Sequence, residues 1–142
     1  MNLAAHREIA RPADEVFSFL ADASNNPRWQ SGMQSCEWTD EPPIGTGSRY
    51  RQVATFMGRP VVSVFEVSEF EPGRTIRIDT LESTFPISVI RTVTPIDSDR
   101  CAVTADISGG PNVPRVLQPL VRRLAQRSVD RDYDRLVALL EA

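Results

Sequence analysis

The chain has 142 residues, 41% hydrophobic and 25% charged, which suits one folded domain over 1–142 and excludes a disordered polyelectrolyte or a fibre. Its charged residues are 16 arginines, no lysine and 19 acids, for a net charge of −3, so no basic footprint points to duplex nucleic acid and no lysine is present for Schiff-base chemistry. The single histidine and the two distant cysteines, Cys36 and Cys101, leave no multi-histidine metal site and no CxxC pair, so neither a metal nor a cofactor is expected.

Leu3 to Ala10 reads as a short strand ended by Arg11-Pro12. A helix is predicted over 13–21. Pro12 suits its first turn, Asp14 and Glu15 favour its N-terminus, and Val16, Phe17, Leu20 and Ala21 recur at helical spacing. Asp22 to Pro27 is rich in turn formers, and Trp29 follows on a short helical turn.

From residue 33 the period changes to two. Strands are predicted near 33–39, 46–57, 60–70, 74–82, 86–94 and 101–108, with Pro, Gly, Asp and Ser clusters between them. Val61, Ser63, Phe65 and Val67 share one parity, as do Ile76 and Ile78, and Val103, Ala105 and Ile107. That alternation describes an antiparallel sheet buried on one face, and the short connections favour a meander. Gly109-Gly110-Pro111-Asn112 then breaks the sheet, and Pro114 to Glu141 reads as a long helix with a kink or a broken first turn at Pro119.

The expected fold class is therefore α+β. A curved seven-stranded antiparallel sheet wraps around a long C-terminal helix, with one or two short helices after the first strand. A strongly twisted sheet curls, and one helix cannot fill its concavity, so a cavity between the two is the expected product. The longest apolar run, Leu136 to Leu140, is far short of a membrane span, and Met1 to Arg11 has no apolar signal core. The expectation is a cytoplasmic protein with no integral membrane association.

Several segments carry a resemblance. Ile9-Ala10-Arg11-Pro12-Ala13-Asp14-Glu15-Val16 resembles the strand-to-helix junction of the SRPBCC, or START-like helix-grip, superfamily, and in particular its polyketide cyclase/dehydrase and lipid-transport group. Asp22 with Pro27-Arg28-Trp29 resembles the family's turn, and Ile44-Gly45-Thr46-Gly47-Ser48 its glycine-marked strand entry. Val67-Ser68-Glu69-Phe70-Glu71-Pro72-Gly73-Arg74 is similar to its hairpin, and Leu136 to Glu141 loosely to its C-terminus. Asp97-Ser98-Asp99-Arg100 departs from the glycine-and-threonine turn usual before the last strand. The resemblance implies the helix-grip fold and a small hydrophobic partner of lipid, aromatic or polyketide type, and it leaves chemistry open.

Candidate cavity residues are Trp29, Phe65, Val67, Ile76, Ile78 and Val89, with Leu120 and Leu124 from the apolar face of the last helix. Two side chains are catalytic candidates. Arg91 shares the parity of Ile87, Val89 and Val93; pointing inward it would hold a carboxylate or phenolate, although arginines are rarely fully buried and an outward position is the ordinary alternative. His6 is the one neutral-pH acid/base group, but strict alternation from Ile9 turns it to the outer face. Residues 113–127 carry Arg115, Arg122, Arg123 and Arg127 and no acid, interleaved with leucines, which reads as a solvated helix face or a surface for lipid or a partner. Three functions follow: a binding protein enclosing a hydrophobic or aromatic ligand, an aromatase/cyclase-type enzyme using the same cavity, and a partner-binding or homodimerising module.

Overall fold

The computed structural model describes residues 1–56 and 58–142. Its elements are β1 (Asn2–Ile9), α1 (Ala13–Ala21), a 3₁₀ turn (Ala23–Arg28), β2 (Met33–Trp38), β3 (Arg49–Phe56), β4 (Arg59–Glu71), β5 (Thr75–Glu82), β6 (Ile87–Asp97), β7 (Arg100–Gly109), a second 3₁₀ turn (Arg115–Leu117) and α2 (Gln118–Glu141). Met57, the expected end of the third strand, lies outside the described residues. The strands form one antiparallel sheet in the order β1-β7-β6-β5-β4-β3-β2, so β2 to β7 is an unbroken meander and β1 returns to close its far side.

β3 begins at Arg49 and not at the expected 46, because Thr46 and Gly47 form a turn before it. Two further boundaries differ from the expectation. β6 continues through Pro95, which pairs in register with Cys101, to Asp97, with a register irregularity between Pro95 and Asp97. The turn that follows is correspondingly tight: Asp97 accepts from the Asp99 amide at 2.9 Å and pairs with Arg100 at 3.0 Å. At the last helix, Pro119 falls in the first turn of α2, where its missing N–H is one the helix leaves unpaired in any case. The interruption is the separate 3₁₀ turn before it, and α2 itself runs on unbroken.

The strand parity places Ala5 and Ile9 of β1, Val103 and Ala105 of β7, Val89 and Val93 of β6, Ile76 and Ile78 of β5, and Phe65 and Val67 of β4 on the inner, buried face. α1 covers one end of that face: Phe17 and Phe70 meet with ring centroids 5.8 Å apart. α2 lies across the middle. Arg7, inward on β1, donates from Nε to Asp134 at 2.9 Å and pairs with Asp130 at 3.7 Å. The Gln126 side chain bonds both backbone groups of Ala4, donating to its carbonyl at 2.8 Å and accepting from its amide at 3.3 Å. Glu141 accepts from the Ala10 amide at 2.9 Å. These contacts are polar and exposed and align the helix; its apolar seal is Leu136, which is 0% exposed. Leu136→Ala should lower the unfolding free energy by about 2–5 kcal/mol in urea denaturation, the range for a buried leucine whose space does not collapse. A loss under about 1 kcal/mol would mean that the polar contacts, and not the apolar one, hold α2 to the sheet.

Candidate functional site

The inner face of the sheet is longer than α1 and α2 can cover. Between them remains a cavity of about 160 Å³, bounded by β3 to β7, by α2 and by the 3₁₀ turn after α1. Phe65, Ile78, Ile87, Val89 and Ile107 give it an apolar floor. Its other walls are polar or amphipathic: Asn26, Trp29 and Gln30 from the turn, Tyr50 and Gln52 from β3, Arg91 from β6, and Asp132 and Tyr133 from α2.

Asp22 builds the turn. Its Oδ1 accepts from the Ser24 amide at 3.1 Å, from the Ser24 hydroxyl at 2.6 Å and from Trp38 Nε1 at 2.9 Å. Burial pushes the Asp22 pKa up, but these three bonds outweigh it and hold the carboxyl below its usual range. The capped turn then delivers Asn26 and Trp29 to the interior, 2% and 1% exposed. Trp29 is gripped from α2 as well: its ring meets Tyr133 edge-on with centroids 5.0 Å apart, and Arg135 donates to its carbonyl at 3.4 Å.

Arg91 points inward. Its Nε donates to the Tyr133 hydroxyl at 2.9 Å, and its guanidinium carbon lies 5.2 Å from the Trp29 ring centroid. Those contacts hold one side of the fork. No carboxylate among the described residues forms an ion pair with Arg91, and the bond from Nε is its one hydrogen bond among them. Burial works to lower its pKa, yet the Tyr133 and Tyr50 phenols outweigh that effect and the net displacement is upward, so the guanidinium stays charged. Four further polar atoms on cavity-lining residues are buried without a partner among the described residues: Asn26 Oδ1, Trp29 Nε1, Gln30 Nε2 and the Tyr50 hydroxyl. Each such atom costs about 1–3 kcal/mol while unpaired.

Trp29, Phe65, Ile78, Val89 and Arg91 thus come together around one space. Val67 and Ile76 share the buried inner face but do not line the cavity; Ile76 pairs with Phe70, which Phe17 of α1 covers. Leu120 and Leu124, expected in the lining, are each 54% exposed. The reason is helical phase. Leu120 precedes Val129, and Leu124 precedes Tyr133, by nine residues, or about two and a half turns, so each leucine faces away from the residue that lines the cavity. His6 lies exposed on the outer face of β1, as strict alternation requires, and does not meet Arg91. Tyr50 and Gln52 were legible in principle: Tyr50 is the register partner of Phe65, so β3's even positions line the same face. Asn26, Gln30 and Asp132 carry no such signal, whereas Tyr133 recurs at helical spacing with Val129, Leu136 and Leu140.

Two other titratable groups bound the chemistry. Burial pushes the Cys36 thiol up to about 11, so it is protonated and not a nucleophile at neutral pH. Among the described residues, no cluster of His, Cys, Asp and Glu could hold a metal ion, and no helix is long and apolar enough to cross a membrane.

The profile of the family described as polyketide cyclase/dehydrase and lipid transport matches residues 2–141. The chain belongs to that family. Solved members of the same fold include a START superfamily protein from Mycobacterium smegmatis, 19% identical with TM-score 0.82 over 99% of this chain and 97% of that one. TTHA0849 from Thermus thermophilus is 22% identical with TM-score 0.81, over 97% of this chain and 95% of the other. The ZhuI aromatase/cyclase from Streptomyces sp. R1128 is 17% identical with TM-score 0.77, over 99% and 93%. Among curated proteins, none is detectably similar in sequence. At these identities the likeness extends to the helix-grip fold, and the family's range covers both carriers and enzymes.

Asp132 offers a direct measure of how dry the cavity rim is. Its Oδ1 accepts from the Ser31 amide at 3.0 Å and the Ser31 hydroxyl at 2.8 Å, yet burial outweighs these bonds and raises its pKa. A raised folded-state pKa means that the folded form holds the proton more tightly than the unfolded one. Ionising Asp132 therefore costs stability, and the cost grows as pH rises from the ordinary carboxylate range through the raised value. Asp132→Asn keeps an acceptor for Ser31 and removes the titration. Its Tm relative to the parent should rise as pH climbs from about 3 to about 7. A difference that shrinks over that range would show that the Ser31 bonds, not burial, dominate.

Proposed function

We propose that this protein binds a small, single-ring molecule in the cavity between sheet and α2. The observation that carries the reading is the cavity's size together with its walls. Its 160 Å³ is below the range of about 300–1,000 Å³ usual for drug-sized ligands. It is close to the cavities of about 150 Å³ that admit one benzene ring. Trp29, Tyr50 and Phe65 make its walls aromatic; Tyr50 and Phe65 are stacked on each other at 5.2 Å and 13°, and Trp29 is braced by Tyr133.

The family name also supports an enzymatic reading, and one observation favours keeping it second. Arg91, Tyr133 and Tyr50 would place a cation and two hydroxyls beside a ligand carbonyl, the arrangement that stabilises an enolate. An extended polyketide chain exceeds the space, so the substrate in that reading is again one ring.

Toluene and indole, followed by NMR or calorimetric titration, should bind with one-to-one stoichiometry. Val89→Phe fills the floor of the cavity and should abolish that binding while the circular dichroism spectrum keeps its sheet and helix signature. Undiminished binding to Val89→Phe would place the ligand elsewhere and remove the cavity from the function.

A further inference from the structure

Apolar contact alone is too weak to define this ligand. A ring that buries about 150–250 Å² gains a transfer free energy in proportion to that small area. Association itself costs an amount of that order or more. Affinity and selectivity must then come from the polar atoms that line the space, and those atoms are not balanced in kind.

Donors are in excess. Arg91 brings the two Nη groups of its fork, with no hydrogen bond to any described residue; Trp29 Nε1 and Gln30 Nε2 are buried donors without partners; and the Tyr50 hydroxyl is also unpaired. The Tyr133 hydroxyl accepts from Arg91 and so has its own proton to give. On the acceptor side stand Asn26 Oδ1, which is buried and unpaired, and the Asp132 carboxylate, whose Oδ1 is engaged by Ser31. A set rich in donors, with a charged fork that pairs with no carboxylate among the described residues, fits an anionic acceptor. A carboxylate satisfies it better than a phenolate, because its two oxygens match the guanidinium fork and still have lone pairs for the indole, amide and phenol donors.

We infer that the physiological ligand is an aryl carboxylate: one aromatic ring over Phe65, Ile78 and Val89, its carboxylate against Arg91 and within the donor set of Trp29, Gln30 and Tyr50. The inference rests on the binding reading above and specifies its ligand class. It also assigns Arg91 a role that a structural arginine would not have. A buried cation kept for stability alone would be expected to have an acidic partner, whereas this one has an aromatic face and a phenol on one side.

The test compares benzoate, benzamide, toluene and acetate on the whole chain. Benzoate should bind at least tenfold more tightly than benzamide or toluene, acetate should not bind measurably, and benzoate should shift the Trp29 indole N–H resonance. Arg91→Met should lose at least tenfold in benzoate affinity, keep toluene within about twofold, and unfold at a Tm no lower than the parent, since it removes a buried charge that has no counter-ion. Tyr50→Phe, a gentler change, should weaken benzoate and leave toluene unaffected. Toluene binding without preference for benzoate over benzamide overturns the carboxylate assignment and leaves the cavity reading standing. Failure of every ring compound to bind overturns both. Arg91→Met that binds benzoate like the parent, or that unfolds at a markedly lower Tm, makes Arg91 structural and overturns the assignment.

Discussion

The interior has to accommodate one ionised group out of water. Moving a guanidinium into a protein core costs several kcal/mol even after the surroundings relax. Here the cost is met by directed contacts: the edge of the Arg91 fork meets a phenol from α2, and its face meets an indole from the 3₁₀ turn. Those partners come from distant parts of the sequence, and each is fixed by something else. Tyr133 is held because Leu136, one turn on, is sealed against the sheet. Trp29 is held because Asp22 caps the turn and ties it to Trp38 of β2. One charge on β6 thus sits where the turn and α2 meet, held by partners whose places are set elsewhere, and it sets the polarity of the cavity.

The same arrangement shows how the fold separates shape from chemistry. Curvature of the sheet leaves room under a single rod, and that room is a property of the topology. What enters it is decided by side chains at its walls, and these are free to vary without disturbing the meander. The bulk of Trp29, Tyr50 and Phe65 narrows the space to one ring. The polar atoms gather on the turn, on the inner face of β3, at Arg91 of β6 and on one turn of α2, while the floor remains apolar. A guest would therefore meet an oriented environment, apolar at one side and hydrogen-bonding at the other.

The architecture was legible because its signals are periodic. Alternation from residue 33 onward marked six strands and their inner faces, and the spacing of Val16, Phe17 and Leu20 marked α1 within the limits it adopts. The inward turn of Arg91 follows from parity with Val89 and Val93, and a general rule about buried arginines pointed the other way. Parity prevailed because a strand cannot rotate one residue without turning its neighbours outward. Leu120 and Leu124 misled for the converse reason. Their spacing defines an apolar stripe on a helix, but which stripe meets the sheet is set by Val129, Tyr133 and Leu136, half a helix turn away. Asn26 and Gln30 were invisible because a turn has no period, so nothing local in the sequence distinguishes an inward amide from a solvated one.

One contact far from the cavity has a consequence for behaviour in concentrated solution. β1 ends the sheet, and the outer rim of such a strand offers free peptide groups to any passing chain. The carboxamide of Gln126 engages the amide and carbonyl of Ala4 together, as a neighbouring backbone would, so a side chain occupies that rim at this residue. At the opposite rim, the six-residue length of β2 and its bulge near Met33 make a poor template. Both rims of the sheet thus carry a local feature that disfavours pairing with a further strand.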